Sequence, residues 1–314
     1  MAGHERGMAG HQDVGATDRS LAALLGVRLL AVARLIRIEY CALGAAGVLV
    51  GAFLTTGRTP TTPTFLSTVA VFFVAAGCYS FDDLSDMDCD RLNARTDRPL
   101  IAGDLSTHTA MAAGTVSLVL ALAATLMAGT AAGLLIAAGV ITAMVYNRWL
   151  RGVLVLKNVL FAAVFPVPLV IGWLASGGMF DAFFAYTLVL VFVVGLGFET
   201  MIDIADAEGD RLSGIETLAT RYGTSLSARL AAGLHVAAAV LVLLLYVLPL
   251  DARLQWNPFF LLPAGGAALS NSLIGLRLIR DRSSSHVMAS KHVAFVTISA
   301  GLAAIILGLL LGTY

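Results

Sequence analysis

The chain has little charge. Asp, Glu, Lys and Arg make up 13% of its 314 residues, about half the share found in a soluble domain. The two signs balance at 20 basic and 20 acidic residues, so there is no basic excess to hold nucleic acid, and no nucleic-acid partner is expected. Cysteine is scarce: Cys41, Cys78 and Cys89 show neither CxxC spacing nor a histidine at metal-ligand spacing. That removes a thiolate metal site and a redox pair from consideration. Cys41 and Cys78 fall inside apolar runs, where cysteine serves as a small buried hydrophobe. No short apolar stretch with a small-residue cleavage site follows a basic start, so no signal peptide is expected.

What the chain has instead is apolar sequence, 58% of all residues. Residues 1–18 are polar and Gly-rich, contain His4 and His11, and read as a disordered tail. Residues 19–37 interrupt leucines with Arg28, Arg34 and Arg37, which suits an amphipathic helix lying in the membrane interface. A span needs roughly 20 apolar residues. Nine candidates follow, at about 38–56, 64–81, 107–127, 130–147, 155–175, 183–202, 228–250, 258–279 and 291–312. With the N-terminus inside, Arg58 and Arg253 are the only outside basic residues, and 18 of the 20 lie inside. This asymmetry sets the orientation. The expectation is an all-α, multi-pass protein of the cell membrane, with residues 19–314 as a single membrane domain.

Two clusters of carboxylates break the apolar pattern. Asp83, Asp86 and Asp90 stand at i, i+3 and i+7 at the end of the second span, with Asp82 and Asp88 beside them. Asp203, Asp206 and Asp210 repeat the spacing 120 residues later, at the end of the sixth. On a helix each set shares one face, where like charges repel unless cations lie among them. Either set alone reads as a solvated acidic turn; the repetition argues for a function. It also suggests a parallel repeat, spans one to four and five to eight with a ninth added, which would bring the two arrays together across a central cavity on the cytoplasmic side. Oxygen-only ligands suit Mg²⁺, which takes one or two carboxylates plus substrate phosphates. A cavity open to lipid would suit a long apolar tail.

These residues resemble the UbiA superfamily of intramembrane prenyltransferases over nearly the whole chain. The first family motif is similar to DDLSDMDCD, Asp82 to Asp90, continuing with Asn93 and with Asp97, Arg98, Pro99 and Gly103. The second resembles Asp203, Asp206, Gly209, Asp210, Gly214, Ile215, Thr217 and Leu218. Between them, Tyr146, Asn147, Leu150, Arg151 and Asn158 look like a further family pattern. The resemblance implies nine helices around a central cavity with a cytoplasmic-side cap. It implies that Asp83, Asp86 and Asp90 hold one Mg²⁺ and that Asp203, Asp206 and Asp210 hold another. Arg98 and Arg151 would pair with diphosphate, Tyr146 and Asn158 would line the cavity, and Asp82 stands where the family has Asn. Arg91, Arg95 and Arg211 read as loop charges or carboxylate partners, and Asp88 and Glu208 as solvated.

The activity so implied is Mg²⁺-dependent ionisation of an isoprenyl diphosphate and transfer of the prenyl group to an aromatic or lipid acceptor. Phe72, Phe73, Phe161, Phe165 and Phe198 lie on candidate spans, and aromatic faces stabilise an allylic cation. Two departures bear on the acceptor: Asp82 in place of Asn, and Ile202 where many such transferases carry Lys. They keep open a terpene cyclase of the same superfamily, which converts farnesyl or geranylgeranyl diphosphate without a separate acceptor. A cation transporter is disfavoured, because the carboxylates sit at span ends and no inverted repeat is visible.

Overall fold

The computed structural model describes residues 26–129, 133–134, 136–137 and 156–312. Helix α1 (residues 26–35) precedes α2 (Ile38–Thr56), α3 (Thr62–Ser85), α4 (Met87–Leu92), α5 (Pro99–Ala102) and α6 (Thr107–Ala128). After the undescribed stretch come α7 (Leu156–Val164), α8 (Val167–Ser176), α9 (Ala182–Leu212), α10 (Leu218–Tyr222), α11 (Thr224–Leu244), α12 (Pro258–Arg280) and α13 (Ser284–Leu311). The described residues contain eight helical segments long and apolar enough to cross a membrane, α7 and α8 counting as one. The span expected at 130–147 lies mostly outside the described residues, as do the tail and two expected site residues, Tyr146 and Arg151.

Local chemistry sets the ends. Thr61, Ser106, Asp181 and Asn257 cap α3, α6, α9 and α12, each side chain accepting from a backbone N–H of the first turn. Gly57 and Gly177 close α2 and α8 with φ of 63° and 65°, a conformation that suits glycine. The crossing made by α7 and α8 breaks between them at Pro166, which has no N–H to continue the ladder. Helix α1 turns into α2 through Arg37 at φ 50°. Its Leu35 is buried with Leu100 and Ala110, while Val27, Leu29 and Leu30 face outward, as an interfacial helix requires.

Packed neighbours run α6–α3–α2–α8 and α7–α9–α11–α12–α13, with α13 returning to α9 and touching α2. Small residues permit the tightest of these contacts. A Cβ on Gly51 would meet the Leu169 carbonyl, and one on Gly172 would meet the Val48 carbonyl, so α2 and α8 pack backbone to backbone. Apolar side chains of α2, α8, α9, α11, α12 and α13 form the largest buried cluster, around Phe183, Phe184 and Phe260.

Helix α9 has 31 residues, a length of about 46 Å against a hydrocarbon core of about 30 Å. The apolar sequence fills its first turns, and its charged C-terminal turns carry the second aspartate array.

Candidate active site

The two arrays meet at one end of the bundle. The start of α2, the end of α3, the start of α7 and the end of α9 converge there. Asn93, just after α4, accepts a 2.9 Å hydrogen bond from the Gly209 N–H of α9. A Cβ on Gly209 would collide with the Asn93 side chain, so glycine is required for this approach. Arg95 bridges the halves a second time, donating to Asp206 at 3.0 Å and to Asp97 at 3.0 Å.

Helix α3 does not continue straight through the first array. It ends at Ser85, and α4 begins after Asp86, although the Asp86 N–H to Asp82 carbonyl and Asp90 N–H to Asp86 carbonyl bonds persist at 2.9 and 2.8 Å. Asp83 is almost wholly buried and accepts from both Arg37, at 2.8 Å, and Arg98 on the same oxygen. The Arg98 Nε also stands 3.8 Å from Asp90. Asp82 and Asp86 are half-buried. The second array lies on continuous helix. Asp203 is buried, with Lys157 donating to Oδ1 and Asn158 to Oδ2, both at 2.7 Å. Asp210 is buried and Asp206 half-buried.

Charge pairing is what makes this density of carboxylates tolerable. Burial pushes the Asp90 carboxyl up, against the pull of Arg98. Burial, reinforced by the nearby Arg37, pulls Arg98 down, with Asp83 and Asp90 opposing. Asp97 behaves oppositely: burial would raise it, but the Arg95 hydrogen bond and charge hold it below the ordinary carboxylate range. At the exposed edge Arg91 pairs with Asp88 and Arg211 with Glu208, each three residues apart on its helix.

Among the described residues, no three His, Cys, Asp or Glu side chains converge closely enough to hold an ion alone. The donor set nevertheless fits Mg²⁺. Asp83 Oδ2 and Asp90 Oδ2 are buried and accept no hydrogen bond from the described residues. Mg²⁺ takes one or two carboxylates and completes its shell with phosphate and water.

Several site residues carry signals that the motif reading passes over. Arg37 and Lys157 count as orienting charges in the sequence, yet both reach buried aspartates. Ile202 packs partly buried against the cluster containing Phe198, Met201 and Ile274; the ammonium beside Asp203 comes from Lys157 on another helix. Beneath the cluster, Tyr40 packs against Tyr79, Phe198 and Phe295 with ring centroids 6.2, 6.5 and 5.0 Å apart. Phe165 lies 5.9 Å from Phe198. Arg37 stacks over Tyr79 at 4.5 Å and Lys291 over Tyr40 at 5.5 Å. A charged residue within an apolar span was the available signal for Glu199 and Lys291.

Fold and site together define a class: a multi-pass membrane helix bundle with one polar centre built from two aspartate-bearing helices at a single membrane face. The UbiA prenyltransferase family model matches residues 45–298, and the chain belongs to that family. It is 25% identical over 282 residues to the digeranylgeranylglyceryl phosphate synthase of Archaeoglobus fulgidus, covering 87% of this chain and 93% of that one. The fold is similar to the apo structure of a UbiA homolog from Aeropyrum pernix, with a TM-score of 0.68 and 22% identity over 86% of this chain and 99% of that one. It is also similar to a UbiA homolog from Archaeoglobus fulgidus bound to GPP and Mg²⁺, with a TM-score of 0.60 and 17% identity over 88% and 99% of the two chains.

Proposed function

We propose that this protein ionises an isoprenyl diphosphate with Mg²⁺ and transfers the prenyl group to the hydroxyl of a lipid acceptor. The observation that carries this reading is the joining of the two arrays into one cation-threaded centre through Asn93–Gly209 and Arg95–Asp206. Asp83, Asp86 and Asp90 on one side and Asp203, Asp206 and Asp210 on the other would hold Mg²⁺, which when bound neutralises charge on the departing diphosphate. Arg37, Arg98 and Lys157 already stand among these carboxylates and can turn to diphosphate oxygens, guanidinium groups binding them through paired donors. Arg151 and Tyr146 join them on the family resemblance. Tyr40, Phe165 and Phe198 form an apolar, π-rich wall that excludes water from an allylic cation and stabilises it. A lipid acceptor is supported by the glyceryl phosphate synthase relative. The centre faces the cytoplasm in this reading, on the strength of the basic-residue asymmetry.

The test is purified protein in detergent with geranylgeranyl diphosphate, geranylgeranylglyceryl phosphate and Mg²⁺. The expected result is diphosphate release coupled to a doubly prenylated glyceryl product, abolished by EDTA and restored by Mg²⁺. A cyclic terpene formed from the diphosphate alone would replace the transferase reading with a cyclase.

A further inference from the structure

Neither array includes Glu199, yet it shares their stripe. Glu199, Asp203, Asp206 and Asp210 stand at i, i+4, i+7 and i+11 on α9, within about 60° of arc at 100° per residue. Counting from Ala182, Glu199 lies about 26 Å along the helix and Asp203 about 32 Å. Glu199 thus lies one turn before Asp203, and it is the only charged residue between Ala182 and Ile202. Glu199 is half-buried and makes no hydrogen bond or salt bridge with the described residues, whereas Asp83, Asp203 and Asp206 are each bound to a cation. An ionisable group within an apolar span is costly to keep, and it marks function by default.

Its surroundings indicate what it meets. Lys157, 2.7 Å from Asp203, is one helical turn above it. Phe198, its chain neighbour, packs against Tyr40 and Phe165, and Lys291 covers Tyr40. Glu199 therefore stands at the level along α9 where the cation-paired aspartates give way to Phe198 and its aromatic neighbours. Transfer to a hydroxyl liberates a proton, and Asp83, Asp203 and Asp206 are already paired with cations.

We propose that Glu199 is the proton acceptor for the acceptor hydroxyl, an assignment that rests on the transferase reading above. The acceptor oxygen bonds to C1 of the prenyl group. The C1–O bond to diphosphate breaks, and its electron pair leaves with the diphosphate. The hydroxyl proton passes to a Glu199 carboxylate oxygen and is released to water after the product departs.

The test compares wild type, Glu199→Gln and Glu199→Asp with geranylgeranyl diphosphate and two acceptors: geranylgeranylglyceryl phosphate and its analogue with the reacting hydroxyl replaced by a thiol. General-base catalysis is worth about 10²–10⁴-fold, so Glu199→Gln is expected to lower kcat with the alcohol at least about 100-fold. A thiol ionises far more readily than an alcohol, with a pKa of about 8.5, so its loss is expected to stay below about tenfold. Glu199→Asp is expected to fall between the two with the alcohol, and it carries the same comparison if the Gln variant does not fold. Equal losses with both acceptors, or near wild-type transfer to the alcohol, would overturn the assignment. If wild type itself transfers to neither acceptor, the transferase reading fails, a result distinct from a failure of Glu199 alone.

Discussion

At the scale of single residues, two aspartates from the two arrays should behave differently despite serving one reaction. Asp83 is 1% exposed and holds two guanidinium groups. Asp83→Ala leaves both without that carboxylate, and breaking a buried ion pair costs about 3–5 kcal/mol. We expect loss of turnover together with a clearly lower melting temperature in detergent. Asp206 is 25% exposed, and its partner Arg95 keeps Asp97. Asp206→Ala should therefore abolish turnover with little change in melting. Near-normal activity in either variant would refute its place in the centre.

Asp97 supplies a pH-dependent contribution of known sign. Its folded pKa is depressed, because the Arg95 hydrogen bond and charge outweigh burial. The resulting stability is present above the unfolded carboxylate value of about 3.9 and is lost as pH falls through the folded pKa. Asp97 is 57% exposed, so the pair is worth no more than about 1 kcal/mol. Asp97→Asn should lower the melting temperature modestly at pH 7, and the gap to wild type should close below the ordinary carboxylate range. A gap unchanged down to pH 3 would show that the pair contributes nothing through charge.

At the scale of elements, the site depends on helices that approach one another closely. Gly51 and Gly172 let α2 and α8 touch at the backbone, and α2 begins at the arginine that holds Asp83. Gly172→Leu should separate the pair and cost about 1–3 kcal/mol or more through overpacking. The expected readout is reduced monodispersity and a lower melting temperature, with activity falling in step. The sequence shows where these helices lie and which faces carry Asp. It does not show the break at Asp86, because nothing local to that residue differs from the turns around it. Nor does it show that Ile202 faces an apolar cluster while Asp203 faces cations, since both follow from how α9 is rotated against its neighbours.

At the scale of the whole molecule, the aspartates of both arrays gather at one end of the bundle, and the basic residues predict that this end is cytoplasmic. Impermeant maleimide labelling of intact cells tests this in a background lacking native cysteines. Arg58→Cys, on the opposite face, should be labelled at once, and Asp88→Cys only after permeabilisation. The reverse pattern would invert the topology. Both positions are exposed, so accessibility within the fold does not confuse the result.

The sequence by itself determined the class, the eight spans found among the described residues, and the two carboxylate arrays. Those properties are local: a helix rises about 1.5 Å per residue against a hydrocarbon layer of about 30 Å, and the i, i+3, i+7 spacing needs only one helix to place its members on a face. Tertiary structure decided which cation meets which carboxylate. Arg37 reaches Asp83 across 46 residues of chain, and Arg95 reaches Asp206 across 111. Pairings at such separation depend on helix rotation and depth, which no local pattern encodes. The same dependence turned Lys157 from an orienting charge into a partner of Asp203.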